Sequence, residues 1–162
     1  MIIDKQDVRI LVVDDDKELA DLLVASLSAL GYLAEAAYGG REALNRFDSG
    51  AFQLVITDLK MPDMDGMALL DAVKARDTQA VVMVISGYGT VESAVKAIKN
   101  GAYDFIPKPV KMDELEVIID RALDRRKIFK QLGVFRGLTL ALIISVPVWL
   151  ILGIVISMLW KS

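Results

Sequence analysis

Apolar and polar residues follow two different patterns along the first 110 positions. Apolar runs of four or five residues occur at 10–13, 54–57 and 81–85, and weaker runs occur at 33–37 and 103–106. Runs that are apolar at consecutive positions, and do not alternate, are typical of strands buried on both faces of a parallel sheet. The pattern therefore predicts five buried strands.

Between these runs, apolar residues recur at the three- and four-residue spacing of a helix that packs one face on a core. The predicted helices are 17–30, 40–49, 67–76, 91–99 and a last one that begins near Asp113. The inner face of the first helix is expected to carry Leu19, Leu22, Leu23, Ser26, Leu27 and Leu30. Glycines at 31, 50 and 101 follow three of the helices and are expected to end them.

Five strands that alternate with five helices predict a parallel sheet with helices on both faces, because each crossover places a helix over the sheet. The carboxyl ends of parallel strands meet at one edge, and ligands of open α/β sheets bind just beyond that edge. The residues that directly follow the strands are therefore the candidates for ligand binding and catalysis.

Acidic, hydroxyl and cationic side chains stand at these positions. Asp14 and Asp15 close the first apolar run and Asp58 closes the third, while Ser86 follows the fourth and Lys108 follows the fifth. We expect these side chains to converge at one edge of the sheet. Carboxylates, a hydroxyl and an ammonium group in one place suit phosphoryl transfer onto a carboxylate with the help of a divalent cation.

Each of these residues also has a structural interpretation. Asp16 or a neighbouring aspartate could cap the helix that follows, because Asp favours helix N-termini. Ser86 could satisfy a backbone group at a strand end, and a lysine before a proline is usually solvated. Their joint placement after successive strands favours the functional interpretation.

The segment that follows Asp58, residues 59–66, contains Pro62 and ends at Gly66. Proline and glycine in this arrangement predict a rigid loop. A rigid loop can hold Asp58 and a nearby backbone carbonyl on the same metal ion.

The amino-acid composition excludes several kinds of site and partner. The absence of cysteine and histidine excludes disulfides, zinc–thiolate sites, thiol nucleophiles and a phosphohistidine of the chain's own. Residues 1–136 contain 18 basic and 22 acidic residues, a net charge of −4, which argues against a nucleic-acid surface. The chain can accept a phosphoryl group on a carboxylate, but it cannot be its own histidine kinase.

Residues 137–160 are 24 consecutive positions without a charge. As a helix they would span about 36 Å, against a hydrocarbon core of about 30 Å. The alternative is a buried core helix, but such helices rarely lack every charge over this length. Met1–Lys5 contain no apolar core of a removable signal. The tail is therefore predicted to be a single transmembrane anchor.

Residues 8 to about 126 resemble a bacterial two-component receiver domain, the phospho-acceptor module of response regulators. The resemblance is carried by Val12–Asp16, Thr57–Gly66, Ser86 and Lys108-Pro109. Residues 87–91 and 101–105 are most similar to receivers that precede AAA+ ATPase domains in enhancer-binding transcription activators. The fold that the resemblance implies is a flavodoxin-like (βα)5 doubly wound parallel sheet with strand order 2-1-3-4-5.

The resemblance also implies a role for each site residue. Asp58 would be the nucleophile that takes a phosphoryl group from a partner's phosphohistidine. Mg²⁺ would bind to Asp15 and Asp58 directly, to Asp14 through water, and to the main-chain carbonyl of Lys60. Lys108 would pair with a phosphoryl oxygen.

Two further positions would act as the switch. Ser86 would move to hydrogen-bond another phosphoryl oxygen, and Phe105 occupies the switch aromatic position without a hydroxyl, so that burial alone would drive its rotation. The Lys108-Pro109 bond resembles a cis peptide of the family. Phosphorylation is expected to change the surface of the fourth helix, fifth strand and fifth helix, a face that often dimerises in the family.

The predicted organisation is a receiver domain (1–126), a basic juxtamembrane linker that extends the last helix (127–136) and a transmembrane helix (137–160). Six basic residues between 121 and 136 precede the span and Lys161 alone follows it, so the receiver is expected on the cytoplasmic side of the bacterial inner membrane. No output domain follows in this sequence, and a direct role in transcription is not expected.

The expected partners are a sensor histidine kinase or phosphotransfer protein, the membrane and, as a candidate, a second copy of the chain. The expected reactions are limited to Mg²⁺-dependent self-phosphorylation and autodephosphorylation. One alternative is a membrane scaffold that works without phosphorylation. Another is an aspartate-dependent phosphatase with Asp14 as nucleophile, but that class requires threonine or valine where Glu18 stands.

Overall fold

The computed structural model describes residues 5–48, 51–87, 89–124 and 160. The strands are β1 (Arg9–Val13), β2 (Leu33–Ala37), β3 (Leu54–Asp58), β4 (Val81–Ser86) and β5 (Asp104–Pro107). The helices are α1 (Lys17–Ala29), α2 (Gly40–Arg46), α3 (Gly66–Arg76), α4 (Val91–Lys99) and α5 (112–124), and a 3-10 turn, Lys5–Asp7, precedes β1. The chain divides into two units, the first of which ends at Asp124.

All five strands are parallel and lie in the order β2-β1-β3-β4-β5. The register places Val13 opposite Thr57 and Asp58 opposite Ile85, so the carboxyl ends of the central strands are level. This confirms the predicted flavodoxin-like sheet and its strand order. It also brings the residues that follow the strands to one edge.

Successive residues of the central strands are buried on opposite faces of the sheet. Leu11 and Val55 belong to a core formed with α2, α3 and α4, whereas Ile10 and Leu54 belong to a core formed with α1 and α5. Both faces are therefore covered by helices. This explains why the strands are apolar at consecutive positions, since each position meets a core.

The inner face of α1 differs from the predicted one at Leu22. The buried residues of this helix are Ala20, Leu23 and Leu27, which lie three and four positions apart, and Leu22 is 63% exposed. A residue next to Leu23 is turned by about 100° around the helix axis. Leu22 therefore points to solvent although its residue type suits a core.

The second helix is shorter than predicted. It ends at Arg46, because Phe47 adopts an extended conformation (φ −70°, ψ 112°). The Phe47 ring is buried and stacks on Phe52 with a centroid distance of 6.5 Å. Packing between these two aromatic residues outweighs continuation of the helix, and the predicted end at 49–50 lies outside the described residues.

Glycine ends two helices as predicted. Gly31, after α1, has φ +97°, and Gly101, after α4, has φ +95°. These values lie in the left-handed region that glycine adopts without a steric penalty. They turn the chain directly into β2 and toward β5.

The predicted linker, 127–136, and all of the predicted transmembrane helix except Trp160 lie outside the described residues. Within the part of the chain that the structure describes, no helix combines the length and the apolar character needed to cross a membrane.

Candidate functional site

Three charged side chains meet at the carboxyl edge of the sheet. The ammonium nitrogen of Lys108 lies 2.7 Å from Oδ2 of Asp14 and 2.7 Å from Oδ1 of Asp58. Asp14 follows β1, Asp58 ends β3 and Lys108 follows β5, so three separate strands position them. The structure thus brings together three of the residues that the sequence placed at this edge.

The second oxygen of each carboxylate accepts a backbone hydrogen bond. The N–H of Asp16 donates to Oδ1 of Asp14 at 3.0 Å, and the N–H of Lys60 donates to Oδ2 of Asp58 at 2.7 Å. Asp14 is 4% exposed and Asp58 is 8% exposed. Buried carboxylates require such partners, because an unpaired buried charge is strongly unfavourable.

The two carboxylates and one ammonium carry a net charge of −1. Burial alone lowers the pKa of Lys108, but hydrogen bonds and electrostatic attraction from Asp14 and Asp58 outweigh burial and raise this pKa above its ordinary value. Lys108 is therefore a cation at neutral pH. The remaining negative charge favours a further cation or an electrophile at this edge.

The other two aspartates of the first loop are exposed to solvent. Asp15 is exposed, and Asp16 caps α1 by accepting a hydrogen bond from the N–H of Leu19 at 3.2 Å. The capping interpretation is therefore correct for Asp16. Among residues 5–48, 51–87 and 89–124, no three acidic side chains are grouped so as to hold a metal ion, and the predicted ligation of Mg²⁺ stays a prediction.

Ser86 is buried at the end of β4, beside this cluster. Its main-chain carbonyl accepts a hydrogen bond from the N–H of Lys108 at 3.0 Å. This bond extends the β4–β5 ladder by one residue and fixes where the lysine side chain begins. The peptide bond between Lys108 and Pro109 is cis, as the resemblance implied.

Phe105 is half-buried on β5 and packs against the core that α4 helps to form. Its ring lies directly against the backbone of Gly89, where a Cβ atom would be 2.5 Å from Cε1 of the ring. Sequence reasoning identified Phe105 but missed Gly89, because the contact joins residues that are distant along the chain. The β4–α4 loop and the aromatic residue are thus coupled sterically.

The loop that follows Asp58 is held tightly. The Thr57 hydroxyl donates to the carbonyl oxygen of Asp58 at 2.9 Å, and the N–H of Leu59 donates to the carbonyl of Ile85 at 3.1 Å. A Cβ atom at residue 66 would overlap the Asp58 carbonyl oxygen and lie 3.1 Å from Cα of Leu59. These contacts agree with the predicted rigid loop, and Gly66 is required by its close approach to Asp58.

Comparison with known proteins identifies the domain. The pattern of the response regulator receiver domain matches residues 10–120. The transcriptional regulatory protein ZraR of Escherichia coli K12 is 40% identical over 114 residues, which are 70% of this chain and 26% of that protein. The nitrogen assimilation regulatory protein NtrX of Azorhizobium caulinodans is 37% identical over 132 residues, 80% of this chain and 29% of that protein.

Solved structures agree with the fold. A receiver domain from Clostridium thermocellum superposes with a TM-score of 0.73 at 31% identity and covers 75% of this chain and 98% of its own. NtrX from Brucella abortus in complex with ADP superposes with a TM-score of 0.72 at 39% identity, covering 77% of this chain and 29% of its own.

The chain spans about a quarter of the length of the curated relatives that it matches, so the likeness concerns their receivers. It supports the predicted resemblance to receivers of transcriptional regulators. With the five-stranded fold and the match over residues 10–120, the chain belongs to the response regulator receiver domain family of two-component systems.

Proposed function

We propose that this receiver accepts a phosphoryl group on Asp58 from the phosphohistidine of a sensor kinase or phosphotransfer protein. The observation that carries the proposal is the shared ion pair, in which one partly buried ammonium lies 2.7 Å from both Asp14 and Asp58. A carboxylate held in this way is oriented for attack, and a cation already stands where phosphoryl charge would develop.

In the proposed reaction, an oxygen of Asp58 attacks phosphorus while the bond from phosphorus to the histidine nitrogen breaks. The electron pair of that bond returns to the imidazole of the partner. Lys108 balances the charge of the phosphoryl oxygens. Catalysis of this kind depends on positioning and electrostatics more than on covalent help from the protein.

The donor set fits Mg²⁺, because carboxylate and carbonyl oxygens are the ligands that this ion prefers. Asp14, Asp15, Asp58 and the main-chain carbonyl of Lys60 would hold it. When bound, Mg²⁺ would neutralise charge that the carboxylates and the phosphoryl group bring together. The net charge of −1 on the Asp14–Lys108–Asp58 cluster supports this proposal.

Labelling by a small phosphodonor such as acetyl phosphate, with Mg²⁺ and with the metal chelated, tests the proposal against its alternatives. A phospho-acceptor is labelled only with Mg²⁺. A scaffold that works without phosphorylation is not labelled in either condition. A phosphatase with Asp14 as nucleophile releases phosphate from added phosphomonoesters and loses this activity when Asp14 is replaced.

Lys108→Ala is expected to weaken the conformational response to phosphorylation while some labelling remains. The substitution leaves two buried carboxylates without their shared ammonium and should lower the free energy of unfolding by about 1–3 kcal/mol. Amide hydrogen exchange of α4 and β5, with and without phosphodonor, measures the response. The matched control is Lys111→Ala, whose pair with Glu114 is exposed and is therefore expected to add little to stability. Equal responses in the two variants would contradict the role of Lys108.

We also propose that residues 137–160 anchor the receiver to the cytoplasmic face of the bacterial inner membrane. The charge-free length of this segment and the basic residues that precede it support the proposal.

Deletion of residues 137–162 is expected to release a folded, phosphorylatable domain from membranes, because every proposed site residue lies before residue 126. Fractionation of cells that express the full and truncated chains measures this, and phosphodonor labelling of the soluble fraction shows that the site is intact. A truncated chain that stays with membranes, or that fails to fold, would show that the segment belongs to the domain core.

The surface of α4 supports a role in output. Val91, Val95 and Ile98 lie on one stripe of this helix and are 83%, 47% and 47% exposed. Along α4, which the structure describes in full, Ala97 is the residue that is buried. A helix with so little buried surface can shift at low energetic cost. We propose that phosphorylation changes this surface and that two tethered receivers then pair through it, since tethering raises their local concentration.

A cysteine introduced at Lys96, on α4, should crosslink between chains several-fold more after phosphodonor treatment in membranes. The chain has no native cysteine, so each introduced thiol is unique. Ala25→Cys, exposed on α1, is the matched control and should not respond. Crosslinking at residue 96 that is the same with and without phosphodonor would leave the tail as a tether only.

A further inference from the structure

The helix α2 has no cap of its own. Its N-cap residue is Gly39, which makes no side-chain cap hydrogen bond. The carboxylate of Asp63, more than twenty residues away, supplies the missing acceptors. Oδ1 of Asp63 accepts from the N–H of Gly40 at 3.2 Å, and Oδ2 accepts from the N–H of Arg41 at 3.0 Å. Asp63 thus caps α2 from another loop.

The two glycines of the β2–α2 turn make room for this contact. A Cβ atom at residue 39 would lie 3.0 Å from Oδ2 of Asp63, and the three atoms nearest to it all belong to this carboxylate. A Cβ atom at residue 40 would lie 2.8 Å from Cβ of Met64 and overlap its main-chain oxygen. The β3–α3 loop is therefore seated directly on the turn that begins α2.

Asp63 also fixes its own loop. Its Oδ1 accepts a hydrogen bond from the N–H of Met64 at 2.8 Å. The hydrogen bonds from Arg41, and then from Met64 and Gly40, lower the pKa of Asp63 below its ordinary value. The side chain is therefore an anion at neutral pH, and a charge-assisted contact joins the loop to α2.

The main chain of the same loop contacts Asp58, the proposed phosphoryl acceptor. Lys60 stands three residues before Asp63, and its N–H donates to Oδ2 of Asp58 at 2.7 Å. The loop is anchored on one side by β3 and on the other by the capped turn. Loss of the Asp63 contact would therefore also shift the main chain of Lys60.

We propose that Asp63 is a positioning residue for phosphorylation of Asp58: by capping α2 from the β3–α3 loop, it holds the main chain of Lys60 against the acceptor carboxylate. The inference rests on the proposed function of Asp58 and assigns Asp63 no contact with the phosphoryl group.

The test separates positioning from simple stabilisation of α2. Asp63→Ala removes the anchor and the cap together. Gly39→Ser, added to that variant, supplies an ordinary N-cap to α2 from within its own chain segment, because serine at this position accepts from the second or third helical N–H. The backbone of Gly39 is extended (φ 167°, ψ 160°) and open to serine. The three atoms nearest to its Cβ all belong to the removed carboxylate.

Three readouts are measured on the full chain: the thermal midpoint, the rate of labelling by acetyl phosphate, and hydrogen exchange at the Lys60 N–H. We expect Asp63→Ala to lower the thermal midpoint, to slow labelling by roughly tenfold and to speed exchange at Lys60. In the double variant, the thermal midpoint should recover while labelling stays slow and exchange stays fast.

Recovery of all three properties in the double variant would overturn the proposal, because Asp63 would then act only by stabilising α2. Labelling of Asp63→Ala at the wild-type rate would overturn it as well. If the wild-type chain is not labelled at all, the proposed function fails. Exchange at Lys60 still decides whether Asp63 holds the loop.

Discussion

Replacement of Asp58 by asparagine is expected to reduce phosphoryl labelling of the chain to background. The amide has nearly the shape of the carboxylate, so the bond from the Lys60 N–H can persist, and Asp58 is buried at the end of a central strand. The amide lacks the anionic oxygen that attacks phosphorus, and it also loses the ion pair with Lys108. We therefore expect Asp58→Asn to abolish phosphoryl transfer and to leave the fold intact.

Asp65→Asn is the matched control. Asp65 lies seven residues further on and caps α3 by accepting a hydrogen bond from the N–H of Ala68 at 2.7 Å. Asparagine caps helices about as well as aspartate, so this variant should be labelled at nearly the wild-type rate. Full labelling of the Asp58→Asn protein would show that Asp58 is not the phosphoryl acceptor.

Gly66→Ala is expected to lower the free energy of unfolding by about 1–3 kcal/mol and the thermal midpoint by roughly 5–10 °C. In an ordinary helix, this change would stabilise by about 1 kcal/mol, because alanine is the better helix former. Here the added methyl group overlaps the main-chain oxygen of Asp58, and a backbone atom cannot rotate away. The steric overlap therefore makes the substitution destabilising. Because Asp58 would be displaced, its labelling should also be slower.

Gly87→Ala provides the comparison. The nearest atoms to a Cβ at this position are Cβ and Cδ of Lys108, both 3.9 Å away, which is ordinary van der Waals contact. We expect a change within about 0.5 kcal/mol, measured by thermal denaturation followed by circular dichroism. A Gly66→Ala protein as stable as the Gly87→Ala protein would show that the β3–α3 loop yields more easily than the structure implies.

The sequence predicted the sheet well because both of its faces are buried. Leu54–Ile56 of β3 and Val81–Ile85 of β4 are apolar at consecutive positions, and an aspartate or a serine ends each of these two strands. The errors arose where packing overrides local preference. Leu22 has the residue type of a core position but lies off the buried stripe of α1, and Phe47 leaves α2 to stack on Phe52.

The convergence of Asp14, Asp58 and Lys108 could be predicted because the topology of a parallel sheet places its strand ends together. The individual roles of these residues came from the resemblance to receivers. The contacts of Asp63 with α2 and of Phe105 with Gly89 could not be predicted, because each joins segments that are separated along the chain. A single sequence contains no periodicity or spacing that reports such a contact.

The proposed function requires that Asp58 carry the phosphoryl group. The most direct measurement is to treat the full chain with acetyl phosphate and Mg²⁺, trap the acyl phosphate by borohydride reduction and map the modified residue by mass spectrometry of its peptides. We expect modification at Asp58 alone, lost when Mg²⁺ is chelated. Modification at Asp14 or Asp15, or an unmodified Asp58 in a chain that retains its fold, would contradict it.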